Sequence, residues 1–189
     1  KGIIYDRIIT SLSTKIIAVS NSAKDAILEI DSVKPEKVIT IYNGFDTSKF
    51  IGLRDETEEF GETQRSFRIG CISRQTHSKG IEYVIEAFQK FNSKIIDSEL
   101  VLIGADSDAT EKINKVLLNL DPTKFIRIKY SDNIEMELSK IDVMVHVPIG
   151  INEESFGLVY LETLAAGKKC IFTCSFFNGL FNWRRCHPS

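Results

Sequence analysis

Two stretches of this chain carry residue types whose spacing could do chemistry. In "SRQTHSKG" (73–80), Arg74 and Lys79 stand five residues apart just after an apolar run. In "EESFGLVYLETLAAG" (153–167), Glu154 precedes an apolar segment and Glu162 lies inside it, among Leu158, Val159, Leu161 and Leu164. An unpaired buried carboxylate is costly, so Glu162 needs something to bind. On an ideal helix the two glutamates would lie about 80° apart and about 12 Å apart along the axis, too far for a touching acid/base pair. Glu154 is therefore assigned to the loop before the helix, near a reacting group. Glu162 is assigned to the early helix, where a carboxylate can accept hydrogen bonds from two vicinal hydroxyls such as those of a ribose. Lys79 at a helix N-terminus is electrostatically misplaced unless an anion shares the site. The helix that "ESFGLV" begins leaves its first N–H groups without intrahelical partners, and Gly157 lets an anion approach the backbone. Arg grips phosphate oxygens bidentately and Lys adds a point charge, so these groups suit a diphosphate held without a metal. Blander readings stay open: solvated surface charge for Arg74 and Lys79, a lysine partner for Glu162, and helix-dipole partners for Glu153 and Glu154.

The elements that must position these residues alternate. "KIIAVS" (15–20) reads as a strand, "NSAKDAILEI" (21–30) as a helix behind a Ser or Asn cap, and "KVITIYNG" (37–44) as a second strand. The polar, acidic stretch 51–66 has neither period and reads as a linker. Strands then follow at 67–73, 99–104, 125–130, 143–148 and 169–174, with helices at 79–94, 109–120, 133–141 and around Glu162. Near-continuous apolar strands between amphipathic helices predict a parallel sheet covered on both faces. Ligands of such sheets bind beyond the carboxyl ends of the strands, where both chemical stretches fall. No G-x-G-x-x-G follows a strand and no P-loop motif occurs, so a dinucleotide dehydrogenase or P-loop NTPase is unsupported.

Composition sets the outer bounds. The 189 residues are 43% hydrophobic and 26% charged, the balance of a globular protein. Twenty-four basic against 26 acidic side chains leave a formal charge of -2, which argues against a general affinity for nucleic acid or an anionic membrane. No apolar run approaches the roughly 18 residues of a membrane span, and the start lacks a secretory h-region, so a soluble cytoplasmic location is expected. Cys71, Cys170, Cys174 and Cys186 form no Cys-x-x-Cys pair and read as reduced thiols. A zinc site from Cys170, Cys174, Cys186 and His187 fits no common spacing.

With these residues in view, the chain resembles the retaining glycosyltransferases of family 4 (glycosyl transferases group 1), which have the GT-B fold. The glutamates of "EESFGLVYLETLAAG" look like that family's E-x7-E signature, and "SRQTHSKGIEYVIEAF" resembles its R-x4-K segment. "IIAVSNSAKDAI…KVITIYNGFDTSKF" is similar to the last β-α-β unit of the acceptor domain and the crossing into the donor domain. The resemblance covers about residues 10–175. It implies a GT-B type, Rossmann-like α/β fold that is incomplete here: 1–50 the end of an acceptor domain, 51–66 a linker, 67–175 a nucleotide-sugar donor domain, and 176–189 an atypical tail.

The implied activity is hexosyl transfer, with retention, from a nucleotide-diphosphate sugar to an acceptor hydroxyl on a glycan or lipid-linked molecule. Arg74 and Lys79 match the diphosphate pair, Gly157, Leu158 and Val159 the backbone that cradles the phosphates, Glu162 the ribose carboxylate, and Glu154 the group beside the donor sugar. "IGAD" and "YSDN" match loops near the base. No cofactor or essential metal is implied, and membrane contact would be peripheral, through parts beyond this segment. Lys169 stands where the family usually has Pro, and most of the acceptor domain is missing, so the chain alone is expected to be inactive. A non-catalytic nucleotide-sugar binding module is the alternative, and a generic doubly wound domain with scattered surface charges a third reading.

Overall fold

The computed structural model describes residues 2–31, 33–50, 65–149 and 156–173, with 2–4 as backbone only. The sequence-derived linker is therefore largely outside the described residues, as are Glu154, Cys174, Cys186, His187 and the whole of the 176–189 tail. The chain divides into two compact units, one containing Lys1–Phe45 and the other Asp46–Glu153 and Leu158–Thr173.

In the first unit, α1 (Gly2–Leu12) leads to β1 (Ile16–Ala18), α2 (Asn21–Asp31) and β2 (Val38–Thr40). β1 and β2 pair in parallel, Ile16 opposite Val38, as expected of a β-α-β unit. α2 starts where the Ser20 hydroxyl accepts the Ala23 N–H at 3.1 Å, which satisfies one of the four donors a helix start leaves open. The helix over 2–12 has no counterpart in the sequence reading. Lys37 Nζ donates to the carbonyls of Ser11, in its last turn, and Ser13, just past its end, at 3.1 and 3.0 Å. A cation there satisfies orphan carbonyls and complements the helix dipole.

The second unit holds a five-stranded parallel sheet in the order β5-β4-β3-β6-β7. Its elements in chain order are β3 (Phe67–Ile72), α3 (Ile81–Asn92), β4 (Ser98–Ile103), α4 (Thr110–Leu117), β5 (Phe125–Ile128), α5 (Ile134–Ser139), β6 (Val143–His146), α6 (Leu158–Ala165) and β7 (Lys169–Phe172). Alternate strand residues face opposite sides. Cys71, Leu100 and Leu102 pack with Ile81, Val84, Ile85 and Phe88 of α3 and Ile113 and Leu117 of α4 in one buried cluster. The other face carries Gly70 and Met144, which pair in register, with Leu138 and Ile141 fully buried nearby. Helices thus cover both faces, the α/β architecture expected from the alternation. Among the described residues no helix is long and apolar enough to cross a membrane.

Gly70 is set by space rather than by its backbone: a Cβ there would collide with the side chain of Ile141. Because this core closes on β3, the strand that leads into the Arg74 loop, Gly70→Ala is expected to destabilise the unit by about 1–2 kcal/mol. Urea unfolding followed by circular dichroism checks this; a midpoint equal to the parent's would mean that Ile141 moves aside without cost.

Candidate functional site

The strand order reverses between β3 and β6. From β3 the chain steps outward through β4 to β5, and from β6 it steps the other way to β7. A parallel sheet opens a crevice at such a reversal, at the carboxyl ends of the two central strands. Arg74 and Lys79 lie on the segment leaving β3, and α6 lies on the chain that follows β6.

After β3 the backbone keeps one more bond to β4, Ser73 N–H to the Ile103 carbonyl at 2.8 Å, and then turns outward. Arg74 is exposed and Lys79 half-buried. The helix expected to begin at Lys79 instead begins at Ile81: His77–Lys79 form a 3-10 turn closed by Gly80 at φ +62°. The reason is tertiary. A Cβ at Gly80 would collide with the Val147 carbonyl oxygen, so the loop after β3 packs directly on the chain leaving β6. Ile149 N–H also donates to the Ser78 carbonyl at 2.9 Å. The same contact ends β6 at His146, before the expected boundary at 148, since this stretch bonds across to the β3 loop rather than along the sheet.

α6 begins at Leu158, immediately after Gly157 at φ +68°. Leu158 is exposed and Val159 half-buried, and the Val159 carbonyl accepts the Thr163 hydroxyl at 2.6 Å. Glu162 lies in the second turn, half-buried. Burial pushes its carboxyl above the ordinary range, and the nearby Glu135 carboxylate adds to the shift. Among the described residues no cation forms an ion pair with Glu162 and no hydrogen-bond donor reaches it. The lysine partner that would make Glu162 structural is thus not found there. A half-buried carboxylate without a described partner keeps acceptor capacity free for hydroxyl donors.

The sequence-derived groups are distributed as follows. Arg74 and Lys79 share the β3 exit, Leu158, Val159 and Glu162 share α6, and both sets belong to the carboxyl side of adjacent central strands. Glu154 lies outside the described residues. In the "IGAD" loop, Asp106 pairs with Lys129 at 2.5 Å and with Arg127 at 3.0 Å. The hydrogen bond from Lys129, reinforced by both cations, holds this carboxyl below its usual range. Burial raises the thiols of Cys71 and Cys170 to about 12 and about 11, which makes both poor thiolates and poor metal ligands. The sequence reading missed Gln75, which is buried at 3% exposure between the two proposed phosphate cations.

Comparisons with known proteins bear on the family and the fold. The family model described as Glycosyl transferases group 1 matches residues 54–178. N-acetyl-alpha-D-glucosaminyl L-malate synthase of Bacillus anthracis is 32% identical over 166 residues, 85% of this chain and 42% of that protein. An uncharacterized glycosyltransferase of Methanocaldococcus jannaschii is 30% identical over 163 residues, 82% of this chain and 41% of that protein. The chain therefore spans about two fifths of the length of these curated relatives. The crystal structure of Anabaena Alr3699/HepE in complex with UDP and glucose superposes with a TM-score of 0.74 at 19% identity, over 91% of this chain and 48% of that one, a likeness of GT-B fold.

Proposed function

The chain belongs to the glycosyl transferases group 1 family, and on that premise we propose that it is the donor-binding part of a retaining, family 4 glycosyltransferase that moves a hexose from a nucleotide-diphosphate sugar to an acceptor hydroxyl. The carrying observation is the reversal between β3 and β6, with the two exits joined by the Ile149–Ser78 bond. It brings the loop bearing Arg74 and Lys79 beside the chain that leads to α6. In this reading Arg74 and Lys79 neutralise the diphosphate, and the amides at Gly157, Leu158 and Val159 cradle it. Glu162 accepts the ribose hydroxyls, and Glu154 lies by the donor sugar.

The chemistry follows from the charges. Breaking the bond between the sugar and the diphosphate leaves negative charge on the leaving group, and fixed cations and amide donors stabilise charge that develops in place. With these donors no metal is required by the proposal, and the acceptor, a glycan or lipid-linked hydroxyl, would be held by parts of the protein outside this segment. We place the reaction in the cytoplasm.

A mixed assay with purified chain and a panel of UDP-, GDP- and ADP-sugars tests the proposal. Saturable binding of one nucleotide family is expected. Because near-attack positioning of the acceptor needs a second wall, turnover by the 189-residue chain alone is expected to be undetectable. Robust transfer lost in Glu154→Ala would overturn the donor-part reading in favour of a self-sufficient enzyme, and no nucleotide binding at all would overturn the site.

A further inference from the structure

Gln75 is an amide buried at 3% exposure directly after Arg74. Every polar group it owns is occupied. Its N–H donates to the Ala105 carbonyl at 3.0 Å, and its carbonyl accepts the Ala109 N–H at 2.9 Å. Its side-chain Nε2 donates to the Gly104 carbonyl at 3.2 Å, and its Oε1 accepts Arg127 Nη2 in a short contact. Arg127 is itself fixed by Asn114 Oδ1 at 2.5 Å and Asp106 Oδ1 at 3.0 Å. One residue therefore ties the loop after β3 to its neighbours: its main chain holds Ala105 and the start of α4 at Ala109, and its side chain holds Gly104 and Arg127 at the end of β5. Arg127 Nε is buried without a described partner, so the network is held through the two Nη groups, and these fix one local geometry around Gln75.

The geometry so fixed is that of Arg74. Gly104 lies under it at φ +153°, and a Cβ there would collide with the Ser73 carbonyl and come within 3.2 Å of the Arg74 nitrogen. Above, the Arg74 carbonyl accepts the Thr76 N–H at 2.8 Å. The Arg74 backbone is held between Gly104 and the Gln75 anchor while its side chain stays exposed at the carboxyl edge. An apolar residue of the same length at 75 would fill the space equally well, so packing alone does not call for an amide.

We propose that Gln75 is a positioning residue: through its bonds to Gly104 and Arg127 it sets the Arg74 backbone so that the guanidinium meets the donor diphosphate. This rests on the donor-site reading above. Fixing the base of a flexible cation lowers the ordering cost of binding and leaves the number of ligand contacts unchanged.

The test is calorimetric titration of the full 189-residue chain with UDP and with UMP. Gln75→Met keeps the length of the side chain and removes both side-chain bonds. It is expected to weaken UDP about five- to tenfold and UMP by clearly less, and to have less than a twofold further effect in an Arg74→Ala background. A merely structural residue would weaken both ligands alike and would add its full loss to that of Arg74→Ala, and either result overturns the inference. UDP affinity unchanged in Gln75→Met but reduced in Arg74→Ala overturns it too, leaving the donor site intact. Affinity unchanged in Arg74→Ala sinks the donor-site reading itself. Should Gln75→Met fail to fold, Arg127→Lys cuts the same network from its far end and is expected to give a smaller loss with the same non-additivity; additive losses there count against the proposal equally.

Discussion

Replacing Arg74 and Lys79 together by Ala is expected to weaken UDP binding by about two orders of magnitude. A charge-assisted hydrogen bond to phosphate contributes about 1.5–3 kcal/mol, and in the proposed donor site each cation would supply at least one such contact. Because Arg74 is exposed, solvent screens part of its share, which places the expected loss toward the lower end for each residue. The single variants should differ in kind. Arg74→Lys keeps the charge and forfeits the bidentate fork, so it should recover only part of the affinity, whereas Lys79→Arg should recover most of it. Raising ionic strength should weaken the parent more steeply than the double variant, since screening acts on the charges that have been removed. Calorimetry at two salt concentrations checks all of this, and a double variant within threefold of the parent would show that neither cation meets the diphosphate.

The fold was largely legible because its signals are local and repeated. Each strand of the second unit is a short apolar run, and each helix carries its apolar face at helical spacing, so order and parallel topology followed from alternation alone. The boundaries that shifted did so for contacts no window of sequence contains. The α3 start moved to Ile81 because Gly80 must fit against the Val147 carbonyl, 67 positions along the chain from it. α1 has no counterpart in the sequence reading, and its contacts reach across the chain: Lys37 satisfies carbonyls at its C-terminal end, and Arg7 satisfies the Ile30 carbonyl of α2, each more than 20 residues away in sequence. Propensity is a weak prior, and tertiary partners override it.

The candidate site was legible in a different way. Arg74, Lys79 and Glu162 stand out because a charge in the wrong electrical or apolar setting asks for a ligand, and that argument needs only residue type and neighbours. Gln75 gave no such signal. A neutral amide in a polar loop looks like solvent-exposed surface, and only its burial and the arrival of Arg127 from β5 reveal the anchor. Asp106 is similar: its carboxylate was placed near the base by resemblance, while its pairing with Lys129 and Arg127 depends on the β4–β5 register, Leu102 opposite Arg127.

Glu162→Ala should weaken UDP by about ten- to a hundredfold, from the loss of charge-assisted hydrogen bonds to the two ribose hydroxyls, and should bring the affinities of UDP and 2′-deoxy-UDP together. Its effect on the protein without ligand should have the opposite sign. Burial and the Glu135 carboxylate raise the folded-state pKa above the ordinary 4.5, so the charged form is a cost to the folded chain. The folded state then binds more protons than the unfolded one between pH 4.5 and the raised value, and stability from this group falls as pH rises through that window. Glu162→Gln should therefore be more stable than the parent at pH 7, with the advantage fading as pH drops toward 4.5. Ribose hydroxyls donate to the charged carboxylate and so lower its pKa in the complex. Binding must then release a proton, and parent affinity should decline as pH falls through the raised pKa while that of Glu162→Gln stays flat. Thermal unfolding and UDP titration across pH 4.5–8, in buffers of different ionisation enthalpy, measure both effects on one sample. A Gln variant that is less stable than the parent at neutral pH, or a parent whose UDP affinity does not change across that range, would mean that Glu162 is satisfied by the protein itself and has no ribose to wait for.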